Sequence, residues 1–284
     1  MSTAAQTSDQ LDPASFRAIA DLAYAVSGLT LVEEKSSMIR SRLRPRLKAL
    51  KLTDFKSYTA YLASDAGKPE QVHLISALTT NVSHFFREPH HFDTLRDLLT
   101  ARLPALRSGG KLRIWSAGSS NGQEALSTAI TLHEAAGDID KLDVKILGTD
   151  IDTQVVKFAR AGVYPERLMG GVPDALVPKY FDRVDIGSPE PHFEAKPKLK
   201  QMIHFNPLNL LGSWPMNKPF DAIFCRNVVI YFDQKTQRDL WPRFRAQLHP
   251  KGVFFMGHSE RIADPETFGF DCTGPTTYQH INRS

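Results

Sequence analysis

Cysteine is almost missing from this chain of 284 residues: Cys225 and Cys272 are the two that occur. That excludes a disulfide framework and any metal cluster built on several thiolates. No apolar run approaches the ~20 residues that a bilayer span needs. The opening MSTAAQTSDQ has neither the basic start nor the apolar core of an export signal. We therefore expect a cytoplasmic protein with no membrane insertion. A large excess of one charge is missing too. The net charge is +4, and no basic motif interleaved with aromatics accompanies it, so nucleic acid is not an expected partner. With 42% hydrophobic and 23% charged residues, the chain has the composition of an ordinary globular protein and can bury a sizeable core.

What is present centres on LRIWSAGSSNGQE, Leu112 to Glu124, answered by GTDID at Gly148 to Asp152. The first reads as a short buried strand, a turn of small residues and the start of a helix, as at the first crossover of a doubly wound sheet. Glycine in that turn, Gly118 first, lets the backbone approach a ligand that a side chain would keep away. The second is a strand ending in Asp150, where a carboxylate can accept hydrogen bonds from a ribose diol. The turn is not G-x-G-x-x-G, so it lacks the spacing that seats a pyrophosphate on a helix N-terminus. Glu124, in the first turn of the helix, would repel phosphate but could hold an ammonium group. A nucleoside with an amino-acid end and no phosphate fits, which points to S-adenosylmethionine. The plainer alternative is a βαβ unit with a polar turn.

The chain divides by pattern. Residues 1–12 are expected to be disordered, because the first ten are small and polar. Pro13 opens a helical pattern through Phe16, Ile19 and Ala23, and a second stripe runs through Ile39, Leu43 and Leu47. Pro45 should kink or restart that second helix. Helices are also expected over Phe55 to Leu62 and Val72 to Leu78, giving a helical domain over 13–82. Arg40, Arg42, Arg44, Arg46 and Lys48 flank the second stripe, as surface charge or as a docking face for an acidic partner. Next comes TTNVSHFFREPHHF, Thr79 to Phe92, a linker whose His84, His90 and His91 lack metal-ligand spacing, so no metal is expected. From Lys111 onward strands and helices alternate, with Asp174 to Arg183 expected to be helical. GSPEPHFEAKPKLKQMIHF, Gly187 to Phe205, has turn residues between short strand-like segments and suggests an inserted antiparallel subdomain, about 184–205. Apolar strands at Phe220 to Cys225 and Gly252 to Met256 follow, and a final strand at Thr276 to Ile281 forms a hairpin reached from Phe270. Cys225 reads as a buried thiol. MGHSE at Met256 to Glu260 is triad-like on paper, but adjacent residues do not converge on one nucleophile.

Taken together, NVSHFFRE, WSAGSSNGQEALS, GTDID, FNPLNLL, FCRNVVIYF and MGHSE resemble the CheR family, the chemotaxis receptor glutamate methyltransferases. The resemblance runs in order from about Pro13 to Ile281. It implies a doubly wound, Rossmann-like α/β methyltransferase sheet in a domain over 83–284, with an N-terminal helical domain and the small inserted antiparallel β-subdomain. It implies S-adenosyl-L-methionine as cofactor, S-adenosyl-L-homocysteine as product, and glutamates on the cytoplasmic domain of a chemoreceptor as substrate, with the chain acting as a monomer. Asn81, Ser83 and Arg87 would face the cofactor, Glu124 would hold its amino-acid end and Asp150 its ribose. Asn209 and Leu210 would flank adenine, with Asn227 and Val228 lining the same pocket. Arg87 and Tyr231 would lie near the sulfonium, where the acceptor enters. The basic helix would dock on the acidic receptor. The family's turn usually reads G-C-S-T-G-E-E-P-Y. Here Gln123 stands at the first acidic position, which bears on cofactor affinity more than on fold.

An acceptor glutamate is ionised at neutral pH, since a free carboxylate has a pKa of ~4.3, so its methylation needs no general base. What it needs is in-line approach and removal of water from the carboxylate. Two rivals stand beside the enzyme. A catalytically weak, methyltransferase-like module that senses cofactor or scaffolds a receptor complex is motivated by Gln123. An NAD-dependent oxidoreductase is disfavoured by the missing phosphate-binding glycines.

Overall fold

The computed structural model describes residues 10–281, so most of the expected disordered N-terminus lies outside the described residues. Asp12, counted in that tail by its sequence, is instead ordered by a cap: its Oδ1 accepts from Ala14 N and Ser15 N, each at 3.0 Å. Among the described residues two compact units emerge, 10–80 with Tyr231–Asp233, and Asn81–Ile230 with 234–281.

In the first unit, α1 (Pro13–Ser27) starts behind the Asp12 cap with proline in its first turn and stops at Gly28, whose φ of 73° suits glycine. It buries Phe16, Ile19 and Ala23. Helix α2 (Ser36–Ala49) buries Ile39, Leu43 and Leu47, one residue per turn on one face. Pro45 lies inside it and starts no new helix. Helices α3 (Phe55–Leu62) and α4 (Lys68–Leu78) complete the unit. The last begins a turn earlier than its apolar pattern suggests, because Lys68-Pro69 supplies a proline in the first turn.

Two of the basic residues in α2 have inward work. Arg42 donates to the carbonyls of Leu78 (2.8 Å) and Thr79 (3.1 Å), supplying partners at the C-terminal end of α4. Arg46 makes a two-pronged pair with Glu70 at 2.8 and 2.6 Å, and the Tyr58 hydroxyl donates to the same carboxylate at 3.1 Å. Glu70 is buried. The expected docking face thus contains two arginines, Arg42 and Arg46, with partners inside the unit.

The second unit opens with α5 (His90–Arg107) and β1 (Lys111–Ala117), followed by α6 (Gln123–Ala135), β2 (Asp143–Asp150) and α7 (Thr153–Ala161). Short pieces come next: β3 (Val163–Pro165), α8 (Val177–Tyr180), β4 (Phe181–Val184), β5 (His192–Ala195) and α9 (Pro197–Lys200). Then follow β6 (Ile203–Pro207), β7 (Phe220–Cys225), α10 (Gln234–Gln247), β8 (Leu248–Met256), β9 (Phe270–Gly274) and β10 (Thr277–His280). Among the described residues the main sheet has the order β6-β2-β1-β7-β8-β10-β9. Strands β6, β2, β1, β7 and β8 run parallel, and β10 runs antiparallel to β8 and β9. Every residue of β7 is buried, as befits a parallel strand covered on both faces.

The antiparallel subdomain is a sheet of order β3-β5-β4. Its limits differ from the expected 184–205. It starts at Val163, takes in β4 where a helix was expected to continue to Arg183, and ends at Ala195. Residues 203–207 belong to the parallel sheet beside β2, with Ile146 paired to Ile203 and Gly148 to Phe205. Alternation along a short strand reads the same in either sheet, so the sequence alone did not separate them.

From β1 the chain works outward to β2 and β6, then returns to the other side of β1 with β7 and β8. The order reverses between β1 and β7, and open α/β sheets bind ligands outside the carboxyl ends of strands at such a point. The loops after β1 and β7 are where a site belongs.

Candidate functional site

The turn after β1 is held by short contacts. Gly118 N and Ser119 N both donate to the Thr149 carbonyl, at 2.7 and 2.8 Å. Gly118 has φ +78°, and a Cβ there would come within 2.3 Å of Val228 Cγ2. Only glycine lets the loop after β7 close on this turn. Gly122 (φ +87°) is similarly confined, with Ala159 and Phe205 each 2.9 Å from where its Cβ would be.

Asp150, at the tip of β2, is 8% exposed. Its Oδ2 accepts from Ser120 N at 2.8 Å and its Oδ1 from Asp152 N at 3.0 Å. Burial pushes its carboxyl up, and these backbone hydrogen bonds work against the rise. Asn81 joins the same corner, donating from Nδ2 to Asp152 at 2.8 Å while its carbonyl accepts from the Ser120 hydroxyl at 3.2 Å. The FNPLNLL loop arrives there through Leu208 N, which donates to the Asp150 carbonyl at 2.9 Å. Within that loop, Asn209 Oδ1 accepts from Leu211 N at 2.9 Å, and the Leu210 carbonyl accepts from Trp214 Nε1 at 3.0 Å and Arg243 at 2.6 Å.

A second corner forms around Glu124, in the first turn of α6. Ser116 Oγ donates to its Oε1 at 2.6 Å, and Arg226 Nη1 to its Oε2 at 3.1 Å. Burial raises the Glu124 carboxyl above the usual range, and Arg226 pulls against that. Arg226 also meets Glu88 Oε2 at 3.4 Å and donates to the Arg87 carbonyl. The Arg87 guanidinium donates to the Val82 carbonyl at 3.2 Å. Ser83 lies half-buried on the same segment.

Asn227 (φ 57°) and Val228 sit in the loop after β7. That loop is organised by Glu260, whose buried carboxylate accepts from Asn227 N (2.7 Å), Val228 N (2.9 Å), Ile230 N (3.2 Å) and Gly257 N (2.7 Å). Glu260 is thus a loop anchor, and His258 turns to Glu88, with His258 Nδ1 3.1 Å from Glu88 Oε1. MGHSE builds no triad. Cys225 is fully buried, and burial first, then Glu260 and Glu124, push its thiol up.

Asn81, Ser83, Arg87, Gly118, Glu124, Asp150, Asn209, Leu210, Asn227 and Val228 all belong to the sheet unit. Tyr231 does not. It falls in the helical unit, where Thr30 N donates to its carbonyl at 2.9 Å. Arg226, Glu88, Asp152 and Glu260 were not singled out from sequence for the roles they hold. The available signal was a charged residue inside the apolar run FCRNVVIYF, since a charge in such a run must be paired.

Glu88, His90 and His91 offer ligand atoms within 4.8 Å of one another. Arg226 already lies against Glu88 Oε2, and a cation bound there would face that guanidinium. His91 is fully buried, and burial, with Arg226 and His90, drives its pKa down to about 3. A base with a depressed folded pKa contributes stability that is whole above its unfolded value and is lost as pH falls toward the folded one. Between pH ~6.5 and about 3, His91 should therefore add roughly 1.4 kcal/mol of destabilisation per pH unit. Replacing His91 with Gln should flatten the denaturation free energy against pH by that slope; an unaltered slope would refute it.

The site combines a buried carboxylate at the tip of β2, a half-buried one in the first turn of α6, a glycine turn and no phosphate cradle. Asn121 Oδ1 and Asn227 Oδ1 are buried beside that turn and the β7 loop without hydrogen-bond partners, as expected of polar atoms that a nucleoside would satisfy. These residues fit an amino-acid-bearing nucleoside, and fold and site together define an S-adenosylmethionine-dependent methyltransferase.

Comparison with known proteins narrows the class. Residues 81–278 match the family described as CheR methyltransferase, SAM binding domain, and residues 14–79 match the CheR methyltransferase all-alpha domain. The chain is 42% identical to a probable chemotaxis protein methyltransferase of Rhizobium etli, over 92% of this chain and 97% of that protein. It is 40% identical to the chemotaxis protein methyltransferase of Escherichia coli over 94% and 91% of the two chains. Against chemotaxis protein methyltransferase 2 of Pseudomonas aeruginosa the identity is 43%, over 87% and 86%. The chain belongs to the CheR methyltransferase family, and its cofactor is S-adenosylmethionine. Among the described residues no helix is long and apolar enough to cross a membrane.

Proposed function

We propose that the chain methylates glutamate side chains on the cytoplasmic domain of a chemoreceptor, forming methyl esters, and that it acts as a cytoplasmic monomer. The observation that carries this is the match of both its domains to a family whose relatives are named chemotaxis protein methyltransferases. Bound S-adenosylmethionine supplies an electrophilic methyl group on a sulfonium. The chain's own residues do the rest. Glu124 holds the ammonium of the amino-acid end, Asp150 accepts from the ribose hydroxyls, and Gly118 leaves room for the backbone to approach. Asn81 and Ser83 line the cofactor from the linker. Asn209 and Leu210 flank the base, with Asn227 and Val228 along its other side. Arg87 aligns the acceptor carboxylate by a two-pronged contact. No base has to remove a proton, because the nucleophile is already an anion. Water must be excluded instead, which strengthens the anion as a nucleophile.

Gln123 gives little support to a catalytically weak module. It is fully buried and donates from Nε2 to the Leu168 carbonyl at 2.7 Å, a packing role. The test is transfer of labelled methyl from S-adenosylmethionine to receptor fragments, with release as methanol by base. Label that stays on the receptor in base would reject ester formation.

Beside Arg42 and Arg46, the docking face of this helix offers Arg40, Arg44 and the exposed Lys48. Reversing the exposed Lys48 to Glu should raise the KM for receptor a few-fold, as removal of a steering charge does, with the KM for S-adenosylmethionine unchanged. An unchanged receptor KM would leave that helix as mere solvated surface.

A further inference from the structure

We propose that Arg226 is a positioning residue that binds the cofactor end and the acceptor end of the site into one network, fixing the Glu124 carboxylate and the Arg87 backbone together. This rests on the reading that Glu124 holds the cofactor's ammonium. The Arg226 side chain is 2% exposed and stands just past β7, at the point where the strand order reverses. It reaches three oxygens, donating to Glu124 Oε2 at 3.1 Å and to the Arg87 carbonyl, and standing in an ion pair with Glu88 Oε2 at 3.4 Å. A guanidinium can do this because its planar fork points N–H groups in several directions, which an ammonium on a flexible stem cannot.

The electrostatics show what depends on it. Glu124 is faced by Arg226 beyond β7, by Cys225 on β7, by Glu88 from the linker and by the Ser116 hydroxyl of β1. His91 and His258 reach the same network through Glu88. Burial works against the charged form of Glu124, and Glu88 adds repulsion. Arg226 is the cation that opposes both. An uncharged Glu124 could not attract an ammonium. The same guanidinium holds the chain at Arg87 and Glu88, so a change at one end is felt at the other.

The experiment is calorimetric binding of S-adenosylhomocysteine across the weakly acid to weakly alkaline range. The alkaline limb belongs to the ligand's own amino group and the acid limb to Glu124. Arg226→Met should move the acid limb to higher pH, with affinity on that limb about tenfold weaker for each pH unit of displacement. Glu88→Gln should move it to lower pH, because it removes repulsion and leaves Arg226 to Glu124. A role in packing alone predicts no such opposed shifts. Limbs that coincide with the unmodified protein, or that move in the same direction, would overturn the proposal. If Arg226→Met does not fold, Glu88→Gln decides alone: a downward shift supports the network and anything else refutes it. Arg226→Lys, which keeps charge without the fork, should leave the acid limb nearly in place and lower kcat by about tenfold (~1.4 kcal/mol) with the KM for S-adenosylmethionine unchanged. An unaltered kcat would overturn the Arg87 half. Glu124→Gln should abolish the acid limb; if it survives, the assignment of Glu124 fails rather than the role of Arg226.

Discussion

Replacing Arg87 with alanine is expected to lower kcat on the order of a hundredfold while leaving S-adenosylhomocysteine binding measurable. The expectation comes from what surrounds this side chain. Its obvious structural partner would be the neighbouring Glu88, but that carboxylate is taken by Arg226 and by His258. The Arg87 carbonyl is held by Arg226, so the backbone stays fixed when the side chain is cut back. The guanidinium itself makes a contact with the Val82 carbonyl at 3.2 Å, a modest tie that an incoming carboxylate could displace. Removing a group that aligns a nucleophile costs rate through lost orientation rather than lost cofactor affinity. The alignment must not be too tight, since an arginine that stabilised the free carboxylate as much as the transition state would gain nothing. Single-turnover methyl transfer beside calorimetry of the product nucleoside separates the two quantities. Equal loss of both would mean that Arg87 serves the cofactor and not the acceptor.

Arg46→Ala should destabilise the helical unit by about 3 kcal/mol. Glu70 is 4% exposed and depends on Arg46 for its charge partner, with Tyr58 as a further donor. Removing one side of such a pair leaves a buried carboxylate without compensation, which costs far more than the pair itself contributes. Burial and then Glu70 push Tyr58 well above the ordinary tyrosine range, so it stays a neutral hydrogen-bond donor, and its side chain has no cationic form to replace Arg46. Chemical denaturation of Arg46→Ala should report this loss. The Lys48 reversal should stay within about 0.5 kcal/mol of the parent, as exposed changes usually do. A stable Arg46→Ala protein with impaired receptor binding would support a docking role for that residue.

The contrast between Arg46 and Lys48 marks where sequence stops being informative. Both lie beside the same apolar stripe, and no local pattern says which one has an acid waiting on another helix. Glu70 lies 24 positions from Arg46 in the chain. The alternation of strand and helix, the glycine turn and the acid at the tip of β2 were legible, because local spacing dictates them. The hairpin end of the sheet was legible too, from the turn between Phe270 and Thr277. The limits of the antiparallel subdomain were not, since membership of a sheet is decided by long-range pairing such as Ile146 with Ile203. Glu260 was hidden for a similar reason. Beside His258 and Ser259 it reads as chemistry, yet four backbone N–H groups of two loops converge on it. Tyr231 is the reverse case. Its motif runs unbroken from β7, but the contact that orders its backbone comes from Thr30.

The most direct test of the central claim, ester formation on an anionic acceptor without a general base, is the pH dependence of single-turnover methyl transfer to a receptor cytoplasmic fragment. The label transferred should be released by base as methanol. The rate should rise with the ionised fraction of the acceptor carboxylate and then level off, with no further ionisation required of the enzyme's histidines. Base-stable label, or a rate that at saturating S-adenosylmethionine still follows a second group titrating near neutrality, would contradict it.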